Sequence, residues 1–248
     1  MELRWYLRAT DTSGIRPMNI WVAQAVLEEK YACYGHFYSI IAGDDKEYRC
    51  RGVLEIVSVS LDCNESNRLS SRTTDATVIM MNPGLSKPVA PQNIRIDLND
   101  VCSMDTELVL ACPDRTQFQI MRIMEFKKWQ HIRILNLSDL RDPNSGSFYE
   151  YFSRVESETE RDVHSIFSKE RSAELKKKLP QDRPIISAWG VSPKLDALIG
   201  KCINGVRGSF IGVKKEGSTN KYYHPLLKGK PMTQKEWLHK VCKELGAN

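Results

Sequence analysis

The chain has 248 residues, 41% of them hydrophobic and 27% charged, and a formal net charge of +5. That is the balance of an ordinary soluble globular protein, with enough apolar material to build a core without staples. No apolar run approaches the length of a membrane-spanning helix, and the opening Met1-Glu2-Leu3-Arg4-Trp5 is too polar for a secretory signal, so a cytoplasmic protein is expected.

Along the chain, Ile20, Val22, Ala23, Val26 and Leu27 recur near helical spacing and predict a helix over 20–30. Two strand-like runs follow at 37–42 and 53–61, and then a polar, Ser/Arg-rich loop at 64–74. Residues 1–75 are expected to form an N-terminal α+β extension and 76–248 the main α/β domain. The main domain opens with a short apolar strand at 76–81 that runs into Asn82-Pro83-Gly84. Residues 85–112 form a long irregular insertion, which inside a compact domain points to function. A helix is predicted at 117–128 and a buried strand at 132–137, followed by polar and aromatic residues 144–155. A charged helix is predicted at 163–179, closed by Pro180, then a strand at 184–189 stopped by Gly190 and a helix at 193–203 with proline in its first turn. A strand at 209–213 leads through 220–223 into His224-Pro225-Leu226. The last helix, 233–245, carries Thr233 as N-cap, Glu236 three residues later and Gly246 just beyond its end.

Strands alternating with helices predict right-handed crossovers and a parallel sheet covered on both faces. Ligands of such sheets bind beyond the carboxyl ends of the strands. Asn82, Asn136, Trp189 and His224 all fall at predicted carboxyl ends, and this convergence marks the candidate site. No Walker loop, G-x-S-x-G, H-E-x-x-H or internal repeat is present. The seven cysteines are scattered without a C-x-x-C pair, and nothing completes a zinc site around Cys33 and His36, so reduced buried thiols and no metal are expected.

Charge is distributed unevenly. Residues 1–168 carry 19 Lys+Arg against 24 Asp+Glu, a net of −5, whereas residues 169–248 carry 17 against 7, a net of +10. A basic sector on an otherwise acidic chain is the footprint of a polyanionic partner. Its members near His224 include Lys214, Lys215, Lys221, Lys228 and Lys230.

Asn82-Pro83-Gly84 resembles the first motif of the mismatch-specific thymine/uracil DNA glycosylases. His224-Pro225-Leu226 resembles the second motif of the wider uracil-DNA glycosylase superfamily. Between them, Ile134-Leu135-Asn136 is similar to the strand bearing that superfamily's base-reading asparagine, and Ala188-Trp189-Gly190 to its next strand end. The same order of pieces also resembles a bacterial domain family of unknown function. The resemblance covers about 76–245 in four short pieces and implies a three-layer α/β/α sandwich around a short parallel sheet.

It also implies a monofunctional DNA glycosylase that needs no cofactor and acts as a monomer on double-stranded DNA. Asn82 would orient the attacking water, and His224 would stabilise the departing base as negative charge develops. Gly84, Leu85, Asn136 and Trp189 would hold the base. Pro225, Leu226 and Leu227 would enter the duplex, with either leucine as the wedge, while Lys228 and Lys230 grip flanking phosphates. Phe148, Tyr149 and Tyr151 are candidates for a stacking surface. The chain departs from uracil-specific members in one respect: Gly84, Leu85 and Ser86 follow Pro83 where those members carry a bulky aromatic gate. A pyrimidine with a large 5-substituent is therefore expected, such as the glucosylated 5-hydroxymethylcytosine of phage DNA, with a role in antiviral defence. Asp97, Asn99 and Asp100 of the insertion are candidate partners for its hydroxyls. Two further readings stay open: a nucleic-acid-binding module without catalysis, and a free-nucleotide hydrolase on the same sheet edge.

Overall fold

A computed structural model describes residues 20–43, 46–61, 69–227 and 231–246. The first helix, α1 (Gln24–Lys30), buries Leu27 and leads directly into a long hairpin of β1 (Tyr31–Ala42) and β2 (Lys46–Ser58). Next come β3 (Ala76–Met80), β4 (Lys87–Pro88), β5 (Arg95–Asp97) and β6 (Val109–Cys112), then α2 (Arg115–Lys127) and β7 (His131–Asn136). The chain continues through α3 (Ser145–Thr159), α4 (Ser172–Lys178), β8 (Ile185–Ala188), α5 (Asp196–Gly205), β9 (Phe210–Ile211) and α6 (Gln234–Leu245).

Among the described residues these strands form one mixed nine-stranded sheet, ordered β4-β6-β1-β2-β7-β3-β8-β9, with β5 added to β1. Strands β7, β3, β8 and β9 are mutually parallel, whereas β2 joins β7 antiparallel, with Leu54 opposite Ile134. Strands buried on both faces need apolar residues in both directions. On β7, Ile132 and Ile134 enter one core while Leu135, and Leu137 just beyond the strand, enter the other. The first of these cores is filled by Leu27 of α1, Phe118, Met121 and Met124 of α2, and Trp237, Leu238 and Val241 of α6. The second is filled by Phe148 and Phe152 of α3, Leu175 of α4 and Leu198 and Cys202 of α5. Helices therefore cover both faces.

Three expectations change. The boundary at residue 75 does not divide the sheet. Residues 53–57 of β2 are apolar or buried throughout, and the hairpin satisfies both faces and its inner edge by pairing with β7. The central sheet is thus large and mixed rather than short and parallel. The 85–112 insertion is not a free loop: it supplies β4, β5 and β6, which pave the outer edge beyond β1. The helix expected at 163–179 shrinks to α4. Upstream of it, the Ser165 hydroxyl donates to the Leu137 carbonyl at 2.6 Å and the His164 carbonyl accepts from Asp139 N–H at 2.7 Å. Those bonds tie the segment to the end of β7 and hold it in turns. The aromatic run at 144–155 is the true helix, α3, capped by the Asn144 side chain on Gly146 N–H. The boundaries of α2 and α6 agree with expectation because each carries a reciprocal capping box, Asp114 with Gln117 and Thr233 with Glu236. Among the described residues no helix is long and apolar enough to cross a membrane.

Candidate functional site at the carboxyl edge

Strands β3 and β7 end at the same level, with Met80 paired to Asn136. Beyond Met80 the chain turns through Asn82, whose Nδ2 donates to the Asp142 carbonyl at 2.7 Å and to that of Leu140 at 3.5 Å. The amide is thereby fixed with its nitrogen toward the loop that follows β7, and its oxygen accepts no bond among the described residues. Gly84 has φ +51, a left-handed conformation that glycine adopts without strain, and a Cβ placed there would lie 3.3 Å from Asp114 Oδ2. Leu85 points outward, 68% exposed.

Asn136 is 0% exposed, and neither of its amide atoms has a hydrogen-bond partner. It follows Ile132 and Ile134 on the face packed against α1, α2 and α6. Across the sheet, Leu54 lies opposite Ile134 on that same face. The β1–β2 register breaks between Gly35 and Phe37, and beyond the break Arg51 stands opposite Phe37, again on that face. Arg51 and Asn136 thus share one face of the sheet, and the Arg51 N–H donates to the Asp139 carbonyl at 2.8 Å in the loop that follows Asn136. Arg51 is 1% exposed and its Nε and Nη1 have no partner. Arg141, in the loop after β7, donates through Nη2 to the Ser86 carbonyl at 2.9 Å and lies 5.2 Å over the Phe37 ring, with its buried Nε unpaired.

His224 accepts a hydrogen bond at Nδ1 from Leu226 N–H at 3.1 Å, so the neutral ring carries its proton on Nε2. The protein packed around the ring pushes its pKa down to about 4, against an opposing pull from the Asp114 carboxylate. At neutral pH it is an uncharged donor. Asp114 acts electrostatically on Arg51 as well, and it touches the space over Gly84. The two distant motifs therefore share one carboxylate neighbour. Asp114 also caps α2, its Oδ1 accepting from Thr116 N–H at 2.7 Å.

The remaining expected site residues divide. Pro225 is buried, Leu227 packs on the core beside α6, and Leu226 is half-buried. Lys228 and Lys230 lie outside the described residues. Trp189 does not line the site: it is 1% exposed, points into the core beneath α3 and α5, stacks edge-on with Phe210 and Tyr222, and donates to the Asn220 carbonyl at 2.9 Å. Its indole is a packing element because both neighbours on that face are aromatic. Phe148 is likewise core, while Tyr151 borders an open cleft of about 610 Å³ with Asp142, Ser147, Glu150 and Arg154. Asp97 and Asn99 are bonded to each other, and Asn99 accepts from Arg161 at 3.0 Å, while Leu98 between them packs on the core opposite to Asn136. They do not join the site.

Sequence reasoning missed Arg51, Arg141 and Asp114. A lone arginine amid the buried run of β2 and an aspartate three residues before a glutamine at a helix start were the available signals. Among the described residues no group of three or more His, Cys, Asp or Glu side chains could hold a metal ion.

No known protein family, curated protein or solved structure matches the chain.

The arrangement offers a fixed amide oxygen from Asn82, a neutral N–H donor from His224, an enclosed amide able both to donate and to accept from Asn136, and two arginines. It supplies hydrogen bonds and positive potential, with no activated nucleophile among them.

Proposed function

We propose that this edge is a nucleobase site and that the protein is a monofunctional DNA glycosylase that excises a modified pyrimidine. The observation that carries the reading is the Asn136 amide, enclosed at a strand's carboxyl end with both atoms unpartnered. Burying such a group without a bond costs about 1–3 kcal/mol, a cost that a polar ligand edge relieves. A pyrimidine presents adjacent donor and acceptor atoms that one amide can meet.

In the proposed reaction the bond between C1′ and the base nitrogen breaks, and its electron pair leaves with the base. Positive charge builds on the sugar and negative charge on the base. Asn82 Oδ1 holds a water against C1′. The oxygen of that water bonds to C1′, and one of its protons passes to the departing base. His224 Nε2–H faces the developing anion, where one well-placed donor contributes roughly 10²–10³ in rate. The neutral ring suits this task, since its Nδ1 stays committed to Leu226 N–H. An amide cannot act as a strong base, so the substrate must bring a good leaving group. The turn after Pro83 holds no aromatic that would exclude a 5-substituent, with Gly84 left-handed and Leu85 turned out. This favours a bulky modified cytosine, such as the glucosylated hydroxymethyl form of phage DNA, and with it an antiviral role. Because Asn136 is enclosed, the segments 81–86 and 222–227 must part to admit the base.

The test uses the full chain on duplexes carrying uracil, 5-hydroxymethylcytosine or its glucosylated form, with strand breaks read after alkali. Breaks are expected only at the modified cytosines, and Asn82→Ala and His224→Ala should each abolish them while duplex binding persists. Brisk release of plain uracil with the modified bases untouched would refute the substrate assignment. No breaks on any duplex would remove catalysis and leave a binding module.

A further inference from the structure

Arg51 and Arg141 take no part in the steps above, yet both stand at the site. Among the described residues neither guanidinium has a carboxylate within 4 Å, and Arg51 Nε, Arg51 Nη1 and Arg141 Nε are buried without partners. Arginine cannot shed its proton to escape this, so it waits for an anion. The two cations also repel each other, and Asp114 is the one carboxylate whose field raises the Arg51 pKa most. Asp139, the other carboxylate that acts on Arg51, is already paired with Arg171 at 2.6 Å, so Asp114 alone faces two guanidiniums.

We propose that Arg51 and Arg141, both beside Phe37 on the Asn136 face of the sheet, form a phosphoryl-binding subsite that holds the phosphate of the same nucleotide whose base that amide reads. Three N–H donors fixed on two planar forks suit the several oxygens of a phosphoryl group, and guanidinium–phosphate bonds are among the stronger charge-assisted ones. The inference rests on the nucleobase reading of the site and names the second group that the ligand must carry. The phosphate can come from a free nucleotide or from a strand of DNA, because both present the same chemistry.

Calorimetric titration of the full chain distinguishes these. The ligands are inorganic phosphate, deoxycytidine, deoxycytidine 5′-monophosphate and a short duplex with one abasic-site analogue. The monophosphate is expected to bind at least about 10-fold more tightly than the nucleoside, the factor that one charge-assisted bond supplies. Arg141→Gln and Arg51→Met should each cut that preference below about 2-fold, with the fold checked by near-ultraviolet circular dichroism. If Arg51→Met fails to fold, the half-buried Arg141 decides alone. Competition by the duplex assigns the phosphate to DNA; competition by free nucleotide only assigns it to a small-molecule substrate. Equal affinity for nucleoside and monophosphate, no binding of monophosphate or duplex, or a preference that survives both substitutions overturns the subsite. A protein that makes no strand breaks but keeps an arginine-dependent phosphate preference loses the glycosylase reading alone, and one that makes breaks without such a preference loses the subsite alone.

Discussion

Strands β2 and β7 carry two clusters of buried charge, one at each end of their pairing, and the clusters are built on opposite terms. At the start of β7, Arg133 donates to Glu55 at 2.7 Å and to the carbonyls of Lys178, Leu69 and Ser70, at 2.7, 3.2 and 3.0 Å. His131 Nε2 lies 3.0 Å from the other Glu55 oxygen. Only His131 Nδ1 goes without a partner there. At the far end, Asn136 has none at either amide atom, and Arg51 and Arg141 keep three N–H groups idle. Glu55, His131, Arg133, Arg51 and Asn136 are all hidden from water, and Arg141 is half-buried. A finished network locks the fold, and an unfinished one is a place for something else.

The sharpest way to break this comparison is to remove one partner from each cluster. Glu55→Gln leaves Arg133 buried without its counter-charge and is expected to cost about 3–5 kcal/mol in urea unfolding. Arg51→Met removes a cation that makes no ion pair and is held only by the longer-range pull of Asp114, so it should leave stability unchanged or higher. Equal losses in the two variants would mean that the carboxyl edge is held together by bonds of the same kind, and the site would lose its main support.

Acid gives the next largest effect. Burial pushes His36 down to about 4, with Lys178 adding to the shift, and pushes His164 down as well. His224 moves the same way. Each is neutral in the folded chain, whereas the unfolded chain begins to bind protons near the ordinary histidine value of 6.5. The stability that His36 and His224 contribute is therefore full above that value and lost as pH falls from 6.5 toward 4, and His164 adds a loss of the same sign. For His36, 1% exposed, the loss is on the order of 3 kcal/mol once pH is below 4. Asp139 opposes it: desolvation raises its pKa to about 6 despite Arg171, so its protonation favours the folded state in the same window. Urea midpoints from pH 7.5 to 4 should fall for the wild type and fall less for His36→Phe. Over the range 5.5–7.5 catalysis should show no inflection from His224, because its ring stays neutral there.

What the sequence made legible follows from how local each signal is. Capping residues and strand ends are local, and the ends of β3 and β7 next to Asn82 and at Asn136 were readable from them. The expected charged helix at 163–179 was misread because Ser165 and His164 spend their polar groups on residues 137 and 139, a contact invisible in the local pattern. Trp189 sat at a strand end like the others, but which face it takes depends on Phe210 and Tyr222. The arginines were hidden for the same reason. Arg51 lies 85 residues before Asn136, and only the antiparallel pairing of β2 with β7 sets their two strands side by side. That pairing also explains why the N-terminal hairpin, which looked separable, supplies part of the site.

A smaller change sharpens the same contrast. Asn136→Leu fills a similar volume and removes an amide that has no bonds to lose. It is expected to raise stability by about 1 kcal/mol, the desolvation penalty returned, while ending base recognition. Destabilisation instead would reveal that the amide is already satisfied.

The two leucines after Pro225 carry the weakest but most specific effect. Leu227 packs on the core beside α6, so Leu227→Ala should cost roughly 1–2 kcal/mol, a partial version of the usual core loss for a half-buried chain. Leu226 is half-buried outside that core while its N–H holds His224 in its tautomer. Leu226→Ala keeps that N–H and should change stability by less than about 0.5 kcal/mol. If Leu226 is the wedge that replaces a flipped base, its loss should slow cleavage of paired duplex more than cleavage of the same base in single-stranded DNA, since only the duplex has a stack to fill. A wedge in Leu227 would reverse the pair, with the larger duplex-specific loss tied to the less stable variant. Measured together, the two variants separate a side chain that supports the histidine's loop from one that meets the nucleic acid.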